Sequence, residues 1–171
     1  MIFVTAAAGV LAAAAVPQLT ATIEHTRTIG AARYLAARFA FARSQAVARS
    51  ANVAVLLTIA GGTATMAMYV DENGNGVRTR DIAAGIDRRA DTPVNLANLF
   101  PHVVLSLNDP ADTIATTTAL MSFTPLGTAS SGTLYVRGRD GSQYAVRVLG
   151  ATGRTRVLRY IPSTRAWVEV L

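Results

Sequence analysis

The chain opens on an uncharged run, Ile2 to Val16 (IFVTAAAGVLAAAAV), in which Thr5 is the one plainly polar side chain before Pro17. Such a run requires an apolar environment. Its fifteen residues are fewer than the roughly 20 that span a bilayer core, which leaves a short span, part of a longer one, or the core of a signal peptide. No Lys or Arg precedes it, as one would in a signal peptide. Beyond Pro17 the apolar positions Leu19, Ile23, Tyr34, Leu35, Phe39 and Val47 fall at mixed three- to five-residue spacings among alanines as far as Ser50. That spacing predicts a helix continuous with the apolar run. Residues 2–16 form its apolar part and 17–50 its amphipathic part. At about 1.5 Å per residue the whole is about 70 Å long. Arg27, Arg38 and Arg49 are eleven apart and so share one stripe of it, while Arg33 and Arg43 lie elsewhere around the axis.

After Ser50 the period changes from helical to alternating. Val53–Ile59 and Thr63–Val70 flank Gly61-Gly62, and Thr133–Arg139 and Ser142–Leu149 flank Asp140-Gly141, two hairpin signals. Val103–Leu107, Ala119–Phe123, Arg154–Ile161 and Arg165–Val170 read as further strands, and residues 71–101, with Pro93 and Pro101, as a long irregular excursion. The expected architecture is α+β, a long N-terminal helix (1–50) on an antiparallel sheet domain (51–171).

Composition narrows the functional classes. The chain has 171 residues, 51% of them hydrophobic and 15% charged, an apolar excess that calls for lipid or a partner as well as a core. There is no cysteine and all 16 basic residues are arginine. Disulfides, thiolate metal sites, cysteine nucleophiles, a phosphate-loop lysine and a Schiff-base lysine are thereby excluded. His25 and His102, the two histidines, belong to different elements, no serine sits in a nucleophile elbow, and no catalytic set emerges. An enzyme is not expected, nor a cofactor or small-molecule substrate. The net charge of +6 is uneven: residues 1–70 carry five Arg and one Glu, 71–120 four Arg and seven acids, 121–171 seven Arg and two acids. Basic ends around an acidic middle suit an anionic partner or charge-matched neighbours in an assembly.

Two short patterns carry candidate chemistry. Asp71-x-Asn73-x-Asn75-Gly76 copies the first half of a calcium loop, but Ile82 stands where the closing bidentate Glu would be, and Arg78 and Arg80 oppose a cation. A hairpin turn held by Asx side chains is the favoured reading, with no metal. In Gly153-Arg-Thr-Arg156, strand alternation puts Arg154 and Arg156 on one face about 7 Å apart, a spacing suited to neighbouring phosphates. Arg147, Arg159, Arg137 and Arg139 could enlarge the patch, with Tyr135, Tyr144, Tyr160 and Trp167 as stacking surfaces.

The order of segments resembles a known family. GVLAAAAVPQL (9–19), ARSQAVARSANVAVLL (42–57), YVDENGNGVR (69–78), MSFTPLGTASSGTLYV (121–136) and ATGRTRVL (151–158) are similar, in sequence order, to the signature segments of the GspH/FimT minor pseudopilins. The resemblance implies a pilin-like fold and a structural subunit of a type II secretion pseudopilus or type IV pilus. It implies a single-pass anchor in the bacterial inner membrane, with Ile2, Phe3, Val4, Gly9, Val10, Leu11, Val16 and the helix-kinking Pro17 in the membrane and filament helix. The sheet domain would lie in the periplasm, with other pilins or pseudopilins at a filament tip as partners. Aligned on Pro17, Met1 falls near the family's sixth mature residue, so a basic leader with its cleavage glycine, a phenylalanine and a fifth-position glutamate would lie upstream. For the competence-associated branch, the glycine-arginine-x-arginine motif implies DNA binding by Arg154, Arg156, Arg159 and Arg147, the alternative function. A further alternative is an exported soluble β domain whose first sixteen or so residues are a cleaved signal.

Overall fold

The structure, a computed structural model, describes residues 2–61, 63–107 and 117–170, and the side chains of residues 20–61, 63–107 and 118–170. Helix α1 (Ile2–Arg49) runs on through Pro17 without interruption. The side chains of Ile2, Phe3, Val4, Gly9, Val10, Leu11, Val16 and Pro17 lie outside the described residues. Among the described residues, no helix is long and apolar enough to cross a membrane. The helix ends where Ser50 takes a left-handed φ of 53° and the amide of Ala51 donates back to the Ala46 carbonyl at 3.3 Å, satisfying a carbonyl of the last turn.

Two antiparallel sheets pack on the C-terminal half of α1. The first has the order β3-β2-β1-β6, built from β1 (Val53–Ala60), β2 (Thr63–Val70), β3 (Arg88–Arg89) and β6 (Thr117–Phe123). The short β4 (Val94–Asn95) also pairs with β2. The second has the order β10-β9-β8-β7-β5, from β5 (Val104–Ser106), β7 (Gly132–Arg137), β8 (Gln143–Leu149), β9 (Arg154–Ile161) and β10 (Ala166–Glu169). A turn between β6 and β7 passes the chain from one sheet to the other, and the Ala129 amide ties it to the Gly150 carbonyl at 2.8 Å. The irregular excursion carries two short helices, α2 (Thr79–Ala83) and α3 (Leu96–Leu99), besides β3 and β4.

The core face of α1 is Thr28, Ala31, Ala32, Leu35, Phe39, Ala42 and Ala46, each at most 1% exposed. The spacing is helical, but four of the seven are alanines, so both sheets approach the helix backbone closely. Phe39 fills the space between the sheets and packs its ring on Phe123, centroids 6.2 Å apart. Two positions named from the sequence pattern behave otherwise: Ile23 and Val47 are about half exposed. They lie off the stripe that begins at Thr28, and apolar character alone did not mark the buried side. The β7–β8 hairpin also differs from expectation. Arg137 pairs with Gln143, and residues 138–142 form a wider loop closed by the Gly138 amide on the Ser142 carbonyl, so Arg139 leaves the strand. Gly138 is required there, because a Cβ would meet the Thr28 hydroxyl at 2.0 Å.

Among the described residues, the acids of the middle segment bond within the chain. Arg38 of α1 pairs with Asp91, whose other oxygen accepts from the Met68 amide at 2.7 Å, clamping the excursion to the helix. Glu72 pairs with Arg88 at 2.7 Å.

A candidate interaction surface on helix α1 and the second sheet

The Asp71 loop is built around its carboxylate. Oδ1 accepts from the amides of Asn73 (3.2 Å) and Gly74 (2.8 Å), and Oδ2 from the Gly76 amide (2.7 Å) and the Asn52 side chain (2.8 Å). Asn73 Oδ1 in turn accepts from the Asn75 amide at 3.2 Å. Burial pushes the Asp71 carboxyl up, but the bonds from Asn52, Gly76, Gly74 and Asn73 together outweigh it and hold the group below the ordinary aspartate range. Oxygens of Asp71 and Asn73 that a calcium ion would need are engaged by amide hydrogens, and Gly74 and Gly76 supply the positive φ values of 74° and 86° that close the turn. Among the described residues no three acidic or histidine side chains gather as a metal site.

The arginines divide between the two faces of the second sheet. Alternation along β8 and β9 puts Arg147, Arg154 and Arg156 on the face away from α1, with Arg147 directly opposite Arg156. Arg159 lies on the other face, opposite the buried Tyr144. Arg156 is already committed to Glu169, Nη1 to Oε2 at 3.0 Å. The aromatic residues separate in the same way. Tyr135 and Tyr160 pack against Trp167 on the outer face, centroids 5.6 and 5.2 Å away. Tyr144 is buried against α1, its hydroxyl 3.3 Å from His25 Nε2, while His25 Nδ1 lies 3.6 Å from Asp140. Burial raises the Tyr144 hydroxyl above its usual range, against the lowering influence of Arg159. The six arginines grouped from the sequence therefore form no single patch; Arg147 and Arg154 remain as outward cations without an ion-pair partner among the described residues.

Where β9 comes alongside α1 the two elements leave a groove of about 590 Å³. Ala36, Ala37, Ala40 and Val157 supply its apolar surface, Arg33 and Arg43 its charge, and Gly153, Arg154 and Thr155 complete the lining; no acid lines it. One end is fixed by backbone contact. Arg43 Nε donates to the Gly127 carbonyl at 3.1 Å, and Gly153, at φ 60°, sits so close that a Cβ would meet that carbonyl oxygen at 2.3 Å. Apolar side chains stand open nearby, Phe41 at 48% and Leu126 at 91% exposed, the latter on the turn that Arg43 holds. Arg154 and Gly153 stand out in the sequence but the groove does not, because α1 and β9 lie more than a hundred positions apart in the chain.

This arrangement, one long helix laid on two antiparallel sheets, is the architecture of a minor pseudopilin. The fold is similar to that of the minor pseudopilin EpsH from the Type 2 Secretion System of Vibrio cholerae, with a TM-score of 0.53 and 13% identity over 78% of this chain and 97% of that one. A family model described as type II transport protein GspH matches residues 31–153, and the chain belongs to the GspH family, as a minor pseudopilin of type II secretion. No curated protein matches it significantly in sequence.

Proposed function

We propose that the protein is anchored in the bacterial inner membrane by the apolar first part of α1, holds its sheet domain in the periplasm, and joins other pseudopilins in the pseudopilus. The observation that carries this reading is the division of labour along α1. It is a 48-residue helix, yet its buried positions among the described side chains begin only at Thr28, and the sequence before Pro17 is uncharged. In lipid a helix satisfies its own backbone, and in a filament the same apolar surface packs on neighbouring helices, so one segment serves both states. Small residues such as Gly9 and the alanines allow close approach.

Deleting the gene should abolish export of the type II substrates, which accumulate in the periplasm, and the full chain supplied in trans should restore it. Unchanged export in the deletion strain would overturn the reading. DNA capture is the less supported alternative. Of its four arginines, Arg156 is paired and Arg159 faces the other way, which leaves two outward cations, fewer phosphate contacts than DNA-binding surfaces commonly make.

A further inference from the structure

One end of the second sheet carries cations that the fold leaves unpaired. At this end Gly138 sits against Thr28, and the Tyr144 hydroxyl lies 3.3 Å from His25 Nε2. At the other end Gly127 and Gly153 pack on Arg43, about 22 Å further along α1. The strand connections at the Thr28 end bring together His102 before β5, Arg137 and Arg139 at the β7–β8 loop, and Arg165 in the β9–β10 turn. Among the described residues none of these three arginines has an ion-pair partner. We propose that this end docks on anionic phospholipid headgroups of the membrane that holds α1, an inference that rests on the proposed anchor and names what the sheet domain touches while anchored.

The placement supports a lipid surface. The uncharged run ends at Val16, and Thr20, Ala21 and Glu24 line a depression together with Arg139 and Asp140. On a continuous helix Thr20 to Glu24 lie about 6–12 Å beyond Val16. That reach is covered by a headgroup layer about 5–7 Å thick and one Debye length of about 8 Å beyond it. The charge supports acidic headgroups. His102, Arg137 and Arg139 line a second depression, of about 440 Å³, that no acid lines. Arg137 pairs with Val104, and alternation against the buried Val136 turns it to the outer face; Arg139, Arg165 and His102 are exposed. The acids at this end are engaged, Glu24 with Arg27 at 2.8 Å and Asp140 with the Ser142 hydroxyl at 2.7 Å and His25 at 3.6 Å. Trp167, paired with Tyr160, adds two rings on the outer face toward the same end, a residue type enriched at headgroup level. An acidic neighbouring subunit would meet the same arginines, but nothing in that role requires them to gather where the apolar run enters.

The absence of cysteine from the chain makes the test direct. Ser163→Cys, in the β9–β10 turn, and Ala151→Cys, in the β8–β9 turn at the opposite end, each place a unique exposed thiol for a fluorophore. The full chain is incorporated into vesicles of phosphatidylcholine alone or with about 30 mol% phosphatidylglycerol, both carrying a lipid with a nitroxide on its headgroup, and quenching is measured. Each arginine near an anionic surface shifts the docked-to-free ratio about fivefold. Quenching at Ser163→Cys should therefore rise with phosphatidylglycerol while that at Ala151→Cys stays low. Combining Arg137→Gln, Arg139→Gln and Arg165→Gln should lower the ratio about a hundredfold and return quenching to its level in neutral vesicles. Arg147→Gln with Arg154→Gln, at the far end of the same face, should leave it unchanged. Salt at about 1 M should abolish the rise, and inorganic phosphate should compete no better than chloride of matched ionic strength. Stronger competition by phosphate would mark a pocket for the free ion and overturn the proposal. Quenching that is equal in the two lipids, or unmoved by the triple substitution, while the protein still floats with the vesicles, overturns it and leaves the anchor standing. Protein that floats with neither vesicle removes the anchor, and this proposal with it.

Discussion

Replacing Gly153 by alanine is expected to cost about 3 kcal/mol, although the residue is a single glycine in a surface turn. Two effects add. The backbone sits at φ 60°, where a side chain costs about 1–2 kcal/mol. The new Cβ would also lie 2.3 Å from the Gly127 carbonyl oxygen and 2.9 Å from Arg43 Cδ, so two turns and the Arg43 side chain must shift, at about 1–3 kcal/mol. For a chain of this size each kcal/mol lowers Tm by about 2–4 °C, and thermal unfolding followed by circular dichroism should show a fall of about 9 °C. Arg154→Ala, at the next position and exposed, should move Tm by no more than about 2 °C. Equal effects at the two positions would mean that the turn does not pack as described.

Asp71→Ala carries the second large expected effect. Asp71 is 6% exposed and accepts from three backbone amides and one side-chain amide; removing it leaves those donors to water or to nothing. A loss of about 2–3 kcal/mol near pH 7 is expected for a charge-assisted set of this kind. The sign with pH follows from the direction of its shift. The carboxyl is held below its ordinary range in the folded chain, so the stability it contributes is fully present above the unfolded-state value. It is lost as pH falls below about 4 through the lower folded value. Denaturant midpoints of the parent and Asp71→Ala should therefore be far apart at pH 7 and draw together toward pH 2. A gap that stays constant over this interval would show that the charge on Asp71 does not hold the loop.

These two positions show what the sequence could and could not reveal. Asp71, Asn73, Gly74 and Gly76 announced a turn because each acts within a few residues, and local chemistry is readable from local sequence. The strand Arg154–Ile161 and the hairpin ending at Val70 were legible for the same reason: alternation and glycine punctuation are short-range signals. The buried side of α1 was legible only where it carries large residues, Leu35 and Phe39. Ala31, Ala32, Ala42 and Ala46 look like generic helix formers until the sheets are in place, and the larger residues Ile23 and Val47 drew attention to the wrong positions. The arginines were harder still. Arg154 and Arg159 differ by an odd number of positions, so alternation alone separates their faces, but which face meets α1 depends on Val157 and Tyr144 packing into the core. The groove needed both elements at once, since its apolar surface comes from α1 and β9 together.

The claim that joins these observations is that the chain works as one subunit among pseudopilins. Its most direct test is the composition of pseudopili sheared from cells and purified away from membrane. The account predicts this protein in the filament fraction, present in low proportion to the major subunit and recovered together with the other minor pseudopilins. Filaments of normal composition and length that lack it, with the full chain found elsewhere in the same cells, would contradict the account.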